Sequence, residues 1–537
     1  MARTIFRVNL TASSFPMLSK HYGDSVAGRG RLDTDYVITN QYSGSQADAF
    51  IGIPTFIYMH NCVPYTHGVQ SLGFREIAGG FRGSTEFDHA YTLRYGTEKA
   101  AIFVGAKGRN YVNQGHGWQS VEAPFRMAGT VTIAYLKETT YICYQGNGIY
   151  KLNPSTGQIT PVVLQGLNTS SLKGITAANA YLIAYDENSI YFSDPTDELN
   201  FQPTLSSGAG SESVLQIRGK IVCALPIENG FIIYTTTNAV SAMFSGESRF
   251  PWVYREIDGS SGIQKPEHVA WTSNYAGHYA WTTAGLQSIS VQTADIVFPE
   301  VSDFLAGREL EDYVGDLGLF PGNSAKNSSA GPFGEFLEMP VGPNQLLINK
   351  LPETLEQMQI KVAMISSRYL VVSYGLLELT HALIYDIGLK RWGKLRKKHV
   401  AVFEYFNLET GMGLAKKTLA LLDKSGKISL ATVDNASDVD KSDSVVMLGR
   451  IQPMRGQNAD LLAVESSVLH QTKGQLAVIA SLNGSDYLPE IKPVIVDAGF
   501  NKIVHQMEIF GRNFILKYTG DFQLNSIQAV ANITRGA

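Results

Sequence analysis

The 537-residue chain carries 48 Asp and Glu against 44 Lys and Arg, a formal charge of −4, so it lacks the basic excess of a protein that grips nucleic acid by its phosphates. With 44% hydrophobic and 17% charged residues and 51 glycines, it can bury more than one core and turns often, which favours many short strands over long helices. No run approaches the ~20 apolar residues of a membrane helix and the opening "MARTIFRVNLTASSFPML" holds no secretory apolar core, so neither export nor anchoring is expected.

Residues 1–90 read as irregular. Polar turns such as "HYGDSVAGRGRLDTD" alternate with "AFIGIPTFIYMHN", whose Pro54 suits an edge or a strand entrance. This stretch is predicted to be an N-terminal arm or platform. From about residue 91 a period-2 rhythm sets in, and strand clusters follow one another between Gly, Asn, Asp and Pro corners. Two of them nearly repeat: "GNGIYKLNPSTGQ" (146–158) and "ENSIYFSDPTDEL" (187–199) lie about forty positions apart, the period of four-stranded propeller blades. Several clusters share one pattern, in which a strand ending in aromatics meets a short turn ("ENG", "YAG", "KSG") and then a second strand. About six or seven such meanders close a ring.

The blades are predicted in two parts, 91–300 and 357–433, separated by an insertion at 301–356. Within "FPEVSDFLAGRELEDYVGD" the spacing predicts a short helix with Ser302 as its N-cap and Val301, Phe304 and Leu305 on one side. The following "LGLFPGNSAKNSSAGPFGEFLEMPVGPN" is too rich in Gly, Pro, Asn and Ser for regular structure, yet it carries Phe320, Phe333 and Phe336. Loops of this length are usually functional or disordered, and a purely solvated linker would have no use for those aromatics. After the seam "VDNASDVDKSDS" (433–444) the strands leave the blade pattern, and 434–537 is predicted as a C-terminal β-sandwich-like unit. The fold expected is all-β.

Chemistry is sparse. "GMGLAKKT" (411–418) has Lys416 where a phosphate-binding loop requires glycine, so a strand and turn is the better reading. "SGAGSES" (207–213) has no feeding strand or following helix and reads as a blade-connecting loop. Asp434, Asp438, Asp440 and Asp443 could collect calcium but lack the loop frame that does so; an acidic linker explains them. "SLNGSDY" (481–487) reads as a hairpin turn around Asn483-Gly484. "KRWGKLRKKHV" (390–400) could track a phosphate backbone, or be a solvated strand edge protected by lysines, the favoured reading. His60, His67 and Cys62 offer no completed tetrahedral site. Cys62, Cys143 and Cys223 are expected as buried reduced thiols. No nucleophile, base and orienter share a motif, so no catalytic residue, cofactor or metal is assigned.

Five stretches, "IPTFIYMHNCVPYTHGVQSLGF" (53–74), "FSDPTDELNFQPT" (192–204), "ENGFIIYTTTNAVSAMFSGESRFPWVYREIDGSSGIQKPEHVA" (228–270), "FPEVSDFLAGRELEDY" (298–313) and "GRNFILKYTGDFQLNSIQAV" (511–530), resemble the tail nozzle, or tail hub, proteins of short-tailed bacteriophages. The resemblance implies a propeller-based structural protein of the virion tail, assembled in the host bacterial cytoplasm. It further implies a homohexameric ring below the head-to-tail adaptor, docking tail fibre, spike or distal tip proteins, with a genome channel for DNA ejection whose tip or gate would be the insertion bearing Phe320, Phe333 and Phe336. A lysine-rich duct would hold DNA at ~10⁻⁴–10⁻⁶ M and drag on it, and the slightly acidic chain avoids this; DNA is expected to pass without sequence-specific binding. The alternative is a carbohydrate-binding or glycan-hydrolysing propeller, which needs two carboxylates about 5–9.5 Å apart at the ring centre. A third reading, a host cytosolic scaffold, need not form a ring of subunits.

Overall fold

In the computed structural model, residues 2–8, 58–77, 86–305, 359–451 and 458–533 are described, apart from short interruptions within those spans. Among these residues seven antiparallel four-stranded blades, six of them separate sheets and one part of a larger sheet, follow one another around a ring: blades 1 (87–121), 2 (131–162), 3 (174–212), 4 (221–256), 5 (269–296), 6 (359–399) and 7 (401–432 completed by Gly73–Ile77). The closing strand of blade 7 comes from the N-terminal side of the whole ring: Ile428 pairs with Ile77 and Thr432 with Gly73. The first strand of blade 7 also meets the first strand of blade 1, so the ring is shut by chain far apart in sequence.

Why these strands read as apolar runs follows from blade stacking. Successive side chains point to opposite faces of a strand, and in a propeller both faces are covered. In Tyr181–Tyr185, Leu182 and Ala184 join the core shared with blade 2, while Tyr181, Ile183 and Tyr185 join the core shared with blades 4 and 5. In Tyr369–Gly375, Leu370, Val372 and Tyr374 face blade 5 and Val371 faces blade 7. Tight turns enforce the meander: Lys137 and Glu138, and again Ser366 and Ser367, all have φ between 46° and 65°, the left-handed geometry of two-residue hairpins.

The remaining strands form a β-sandwich from both ends of the described chain. One sheet contains Ala2–Val8, Gly68–Ser71, Gln523–Ile533, Ala459–Val468 and Lys502–Gly511; the other runs Tyr58–His60, Val445–Ile451, Asn513–Gly520, Lys473–Ser481, Ile491–Asp497. Met59, Leu448, Leu476, Phe514 and Leu524 are among the residues of its core. The first of these sheets continues into the propeller: the outer strand of blade 6, Arg391–His399, pairs with Cys62–Tyr65 through Lys394 and Cys62, giving ten strands in one sheet. Gly393 permits this approach, since a Cβ there would lie 2.6 Å from the Cys62 carbonyl oxygen.

The stretch 1–90, expected as an arm or platform, is divided: most of its described strands join the sandwich, Gly73–Ile77 closes blade 7, and blade 1 opens at Phe87. The reason is long-range pairing, which local irregularity cannot reveal. The short helix also differs from expectation. It runs Pro299–Leu305, with proline suited to a first turn, so Ser302 lies inside it and its Oγ accepts from the Leu286 amide at 3.0 Å. Val301 and Leu305, expected on one side, both join the core between blades 5 and 6. Residues 306–358, with Phe320, Phe333 and Phe336, lie outside the described residues.

Candidate functional site

Strand direction sorts every loop onto one of two ring faces. Turns joining the first to second and third to fourth strands emerge on one face; turns joining second to third, with the connections between blades, emerge on the other. Ion pairs agree. Glu187, in a second-to-third turn, bridges Lys173 and Lys220 of the two flanking connections at 3.0 and 2.9 Å. On the opposite face Lys137 meets the Pro195 carbonyl at 2.9 Å and Glu198 at 3.1 Å. The sandwich departs from and returns to blade 7 at its third-to-fourth position, so it belongs to this second face. The helix Pro299–Leu305 and the start of Gln359–Ile365 lie on the Glu187 face, with the connections between blades, away from the sandwich.

The neck between sandwich and ring is a polar latch. Phe74 and Asp440 exchange backbone hydrogen bonds, Phe74 donating at 3.2 Å and Asp440 at 3.3 Å. The Lys441 ammonium, 6% exposed, donates to the Val433 carbonyl at 2.9 Å and to Asp521 at 3.0 Å. Ser71 Oγ donates to the same Asp521 oxygen at 2.8 Å and accepts from the Phe522 amide. Burying a lysine this deeply is tolerable only with such partners. Two of the acids weighed as calcium ligands have other partners: Asp438 pairs with Arg75 at 2.7 Å, and Asp440 accepts from Ser442. No group of three or more His, Cys, Asp or Glu placed to hold a metal occurs among the described residues.

The basic run 390–400 is a joint rather than a solvated edge. Arg391, Lys394 and His399 are buried; the Arg391 guanidinium donates to the Tyr65 and Gly68 carbonyls, and Lys397 lies 4.7 Å over the Phe74 ring. Only Arg396 and Lys398 of the basic side chains on this strand are exposed. Backbone carbonyls of the adjoining strands supply partners that a one-dimensional charge count does not show. Burial holds the Lys394 ammonium well below the ordinary lysine range.

Buried histidines serve the same holding role. His278 Nε2–H donates to the Pro226 carbonyl at 2.9 Å and its Nδ1 accepts from the Tyr234 hydroxyl at 2.7 Å, tying blade 5 to blade 4. His399 Nδ1–H donates to the Lys397 carbonyl, and Nε2 accepts from Ser373 Oγ. Desolvation pushes His268, His278 and His399 each down to about 4, so all three are neutral at physiological pH.

On the sandwich face, across the ring from blade 7, blades 3 and 4 carry an aromatic rim. Tyr181 packs on Phe192, Phe244 and Trp252, with centroids 6.2, 6.0 and 5.5 Å away, and Phe231 lies 4.9 Å from Trp252. Beside it Phe250 and Val253 are 65% and 59% exposed. The sequence reading missed this surface; its signal was the repeated placement of aromatics at strand ends facing one side.

Other sequence readings find definite places. Cys62, Cys143 and Cys223 are buried thiols, and burial pushes Cys143 up to about 12. Gly210–Glu212 within "SGAGSES" is the outer strand of blade 3, and Gly208 donates to Asp194 at 2.9 Å, so the segment lies inside a blade instead of connecting two. Lys417–Leu422 is a strand, while 411–416 lie outside the described residues. Lys473–Ser481 pairs antiparallel with Ile491–Asp497, flanking the turn expected at Asn483, itself outside the described residues. Of His60 and Cys62 only the thiol is described; His67 sits in an exposed turn.

Ring and sandwich together define an all-β class, a seven-bladed propeller clamped to a β-sandwich by a shared sheet. No protein-family model and no curated protein matches this chain. Solved structures it is similar to include the WD40 β-propeller domain of Doa1 (9% identity, 68% of this chain and 98% of that one, TM-score 0.37). Others are YCF48 bound to a D1 peptide (9%, 70% and 99%, 0.37) and YCF48 from Cyanidioschyzon merolae (11%, 68% and 100%, 0.39). The propeller assignment itself rests on the strand pairings.

Proposed function

We propose that the protein is a structural subunit of a short-tailed phage tail, a nozzle or hub that assembles into a homohexameric ring and extends a conduit for DNA. The observation that carries this reading is how the described polar interior is spent. Lys441, Asp521, Arg391 and His278 serve joints between blades or between ring and sandwich, and His399 ties two strands of blade 6, which suits a rigid building block. The resemblance of the five stretches named above supplies the particular role. Adaptor protein, fibre or spike and distal tip proteins are its partners in this reading, and the insertion 301–356 with Phe320, Phe333 and Phe336 is the tip or gate.

Two faces bearing different features also suit a tail component: the sandwich on one, the elements flanking the long insertion on the other. Negative-stain imaging and mass photometry of the purified protein test the reading. Hollow rings or funnels of about six copies are expected, whereas a solitary particle at every concentration overturns it. Deleting 318–345 is expected to leave rings intact and to abolish sealing of packaged DNA; normal tails holding their genome would remove the insertion from the tip.

A further inference from the structure

Each blade offers its outer strand as an edge, and proteins blunt such edges because unpaired backbone groups recruit foreign strands. Most are blunted here. Blade 2 ends in a strand holding Pro161, blades 3 and 5 end in strands of three residues, blade 6 is extended by Cys62–Tyr65, and blade 7 is crossed by the Phe74–Asp440 bridge. Blade 1 ends in the four-residue strand Trp118–Val121 and blade 4 in a longer one. The blade 4 strand, Trp252–Glu256, has five residues, no proline, and exposed Val253 and Arg255. The Pro251 carbonyl accepts from Ser245 and the Ile257 amide donates to Ala239, so by alternation Trp252, Tyr254 and Glu256 turn their backbone groups outward.

The sandwich has a matching edge. Lys502–Gly511, the last strand of the ten-stranded sheet, is ten residues long without proline, while the other sandwich sheet ends in Tyr58–His60, of three residues, and in Ile491–Asp497, which holds Pro493. Val504, Gln506, Glu508 and Phe510 are exposed, alternating with buried His505, Met507 and Ile509. Five strand spacings carry this edge about 24 Å beyond blade 6. Blade 4 lies two blades away around the ring, about 100° of rotation, so the two edges of one chain face different directions.

We propose that these edges pair between copies of this chain, antiparallel, with Val253 opposite Phe510 and Arg255 opposite Glu508 of the next copy. One register satisfies both an apolar and an oppositely charged cross-strand pair; sliding by two residues sets Val253 against Glu508 and leaves Arg255 against Gln506. The contact is head-to-tail, the kind that closes into rings. It rests on the ring-forming reading above and names the surface that forms the ring.

The test uses the full chain. Val253→Cys combined with Phe510→Cys is expected to give disulfide-linked multimers on mild oxidation, and Val253→Cys with Glu508→Cys far fewer. Arg255→Glu and Glu508→Arg each should cut the assembled fraction about tenfold by mass photometry, and the two together should restore it. Both side chains are exposed, so circular dichroism should be unchanged in each variant. Rings that persist in the single charge variants and give no in-register cross-link overturn the strand pairing and leave the ring reading standing. A wild-type chain that stays monomeric at every concentration overturns both.

Discussion

The propeller and the sandwich are both all-β, yet they close in opposite ways. Within a blade, strands pair with the next strand along, as Val131–Leu136 does with Thr139–Tyr144 across two residues. The sandwich pairs Ala2 with Ile533 and joins Cys62 Sγ to the Val445 carbonyl, 383 positions away. Local pairing costs little loop-closure entropy, so blades can form as the chain emerges, while the sandwich waits for both ends. The two are nevertheless one sheet at blade 6 and share Gly73–Ile77 at blade 7, so closure of the ring is linked to the sandwich side.

The largest break in that comparison should come from the sandwich core. Phe514→Ala removes a fully buried ring and is expected to cost about 3–5 kcal/mol, read as a shift of the denaturant midpoint. The shared sheet predicts that amide hydrogen exchange in ring and sandwich reports one transition; two separated transitions would show the regions to be independent. Acid should separate them in the other direction. A histidine held near 4 when folded and about 6.5 when unfolded contributes full stability above pH 6.5 and loses it as pH falls toward 4. For His278 and His399 that is about 3 kcal/mol each. Among the described residues the sandwich holds one such depressed histidine, His505. The propeller should therefore loosen first between pH 6 and 5, and His278→Gln should flatten the slope of stability against pH.

At the neck, Asp521→Asn leaves the Lys441 ammonium with a neutral partner and should cost about 2 kcal/mol, measured by urea unfolding; a change below a few tenths would mean the latch holds nothing. The smallest effect is a gain. Ser366 and Ser367 both occupy the left-handed region, so Ser366→Asn with Ser367→Gly should stabilise blade 6 by about 1 kcal/mol, seen as a higher midpoint.

What was legible in the chain follows from where its contacts lie. The near repeat at 146 and 187 gave equivalent parts of blades 2 and 3, because each blade solves the same stacking problem with neighbouring residues. The turns "ENG" and "KSG" fall between paired strands, Ile221–Ile227 with Gly230–Thr235 and Lys417–Leu422 with Ile428–Thr432. The basic run at 390–400 misled for the converse reason: its partners, Tyr65, Gly68 and Phe74, lie over three hundred positions away. The aromatic rim was equally hidden, since Tyr181 and Trp252 become neighbours only when blades 3 and 4 stack.

By itself, then, the sequence determined strand alternation, turn geometry and the blade period, all of which depend on residues within reach of one hairpin. Tertiary structure alone decided that Gly73–Ile77 would close the ring, that the chain's two ends would share a sandwich, and that Trp252–Glu256 and Lys502–Gly511 would be left as open edges. Those outcomes depend on which strand finds which partner across the whole chain, and backbone hydrogen bonds, being the same for nearly every residue, leave no mark of their partners in the sequence.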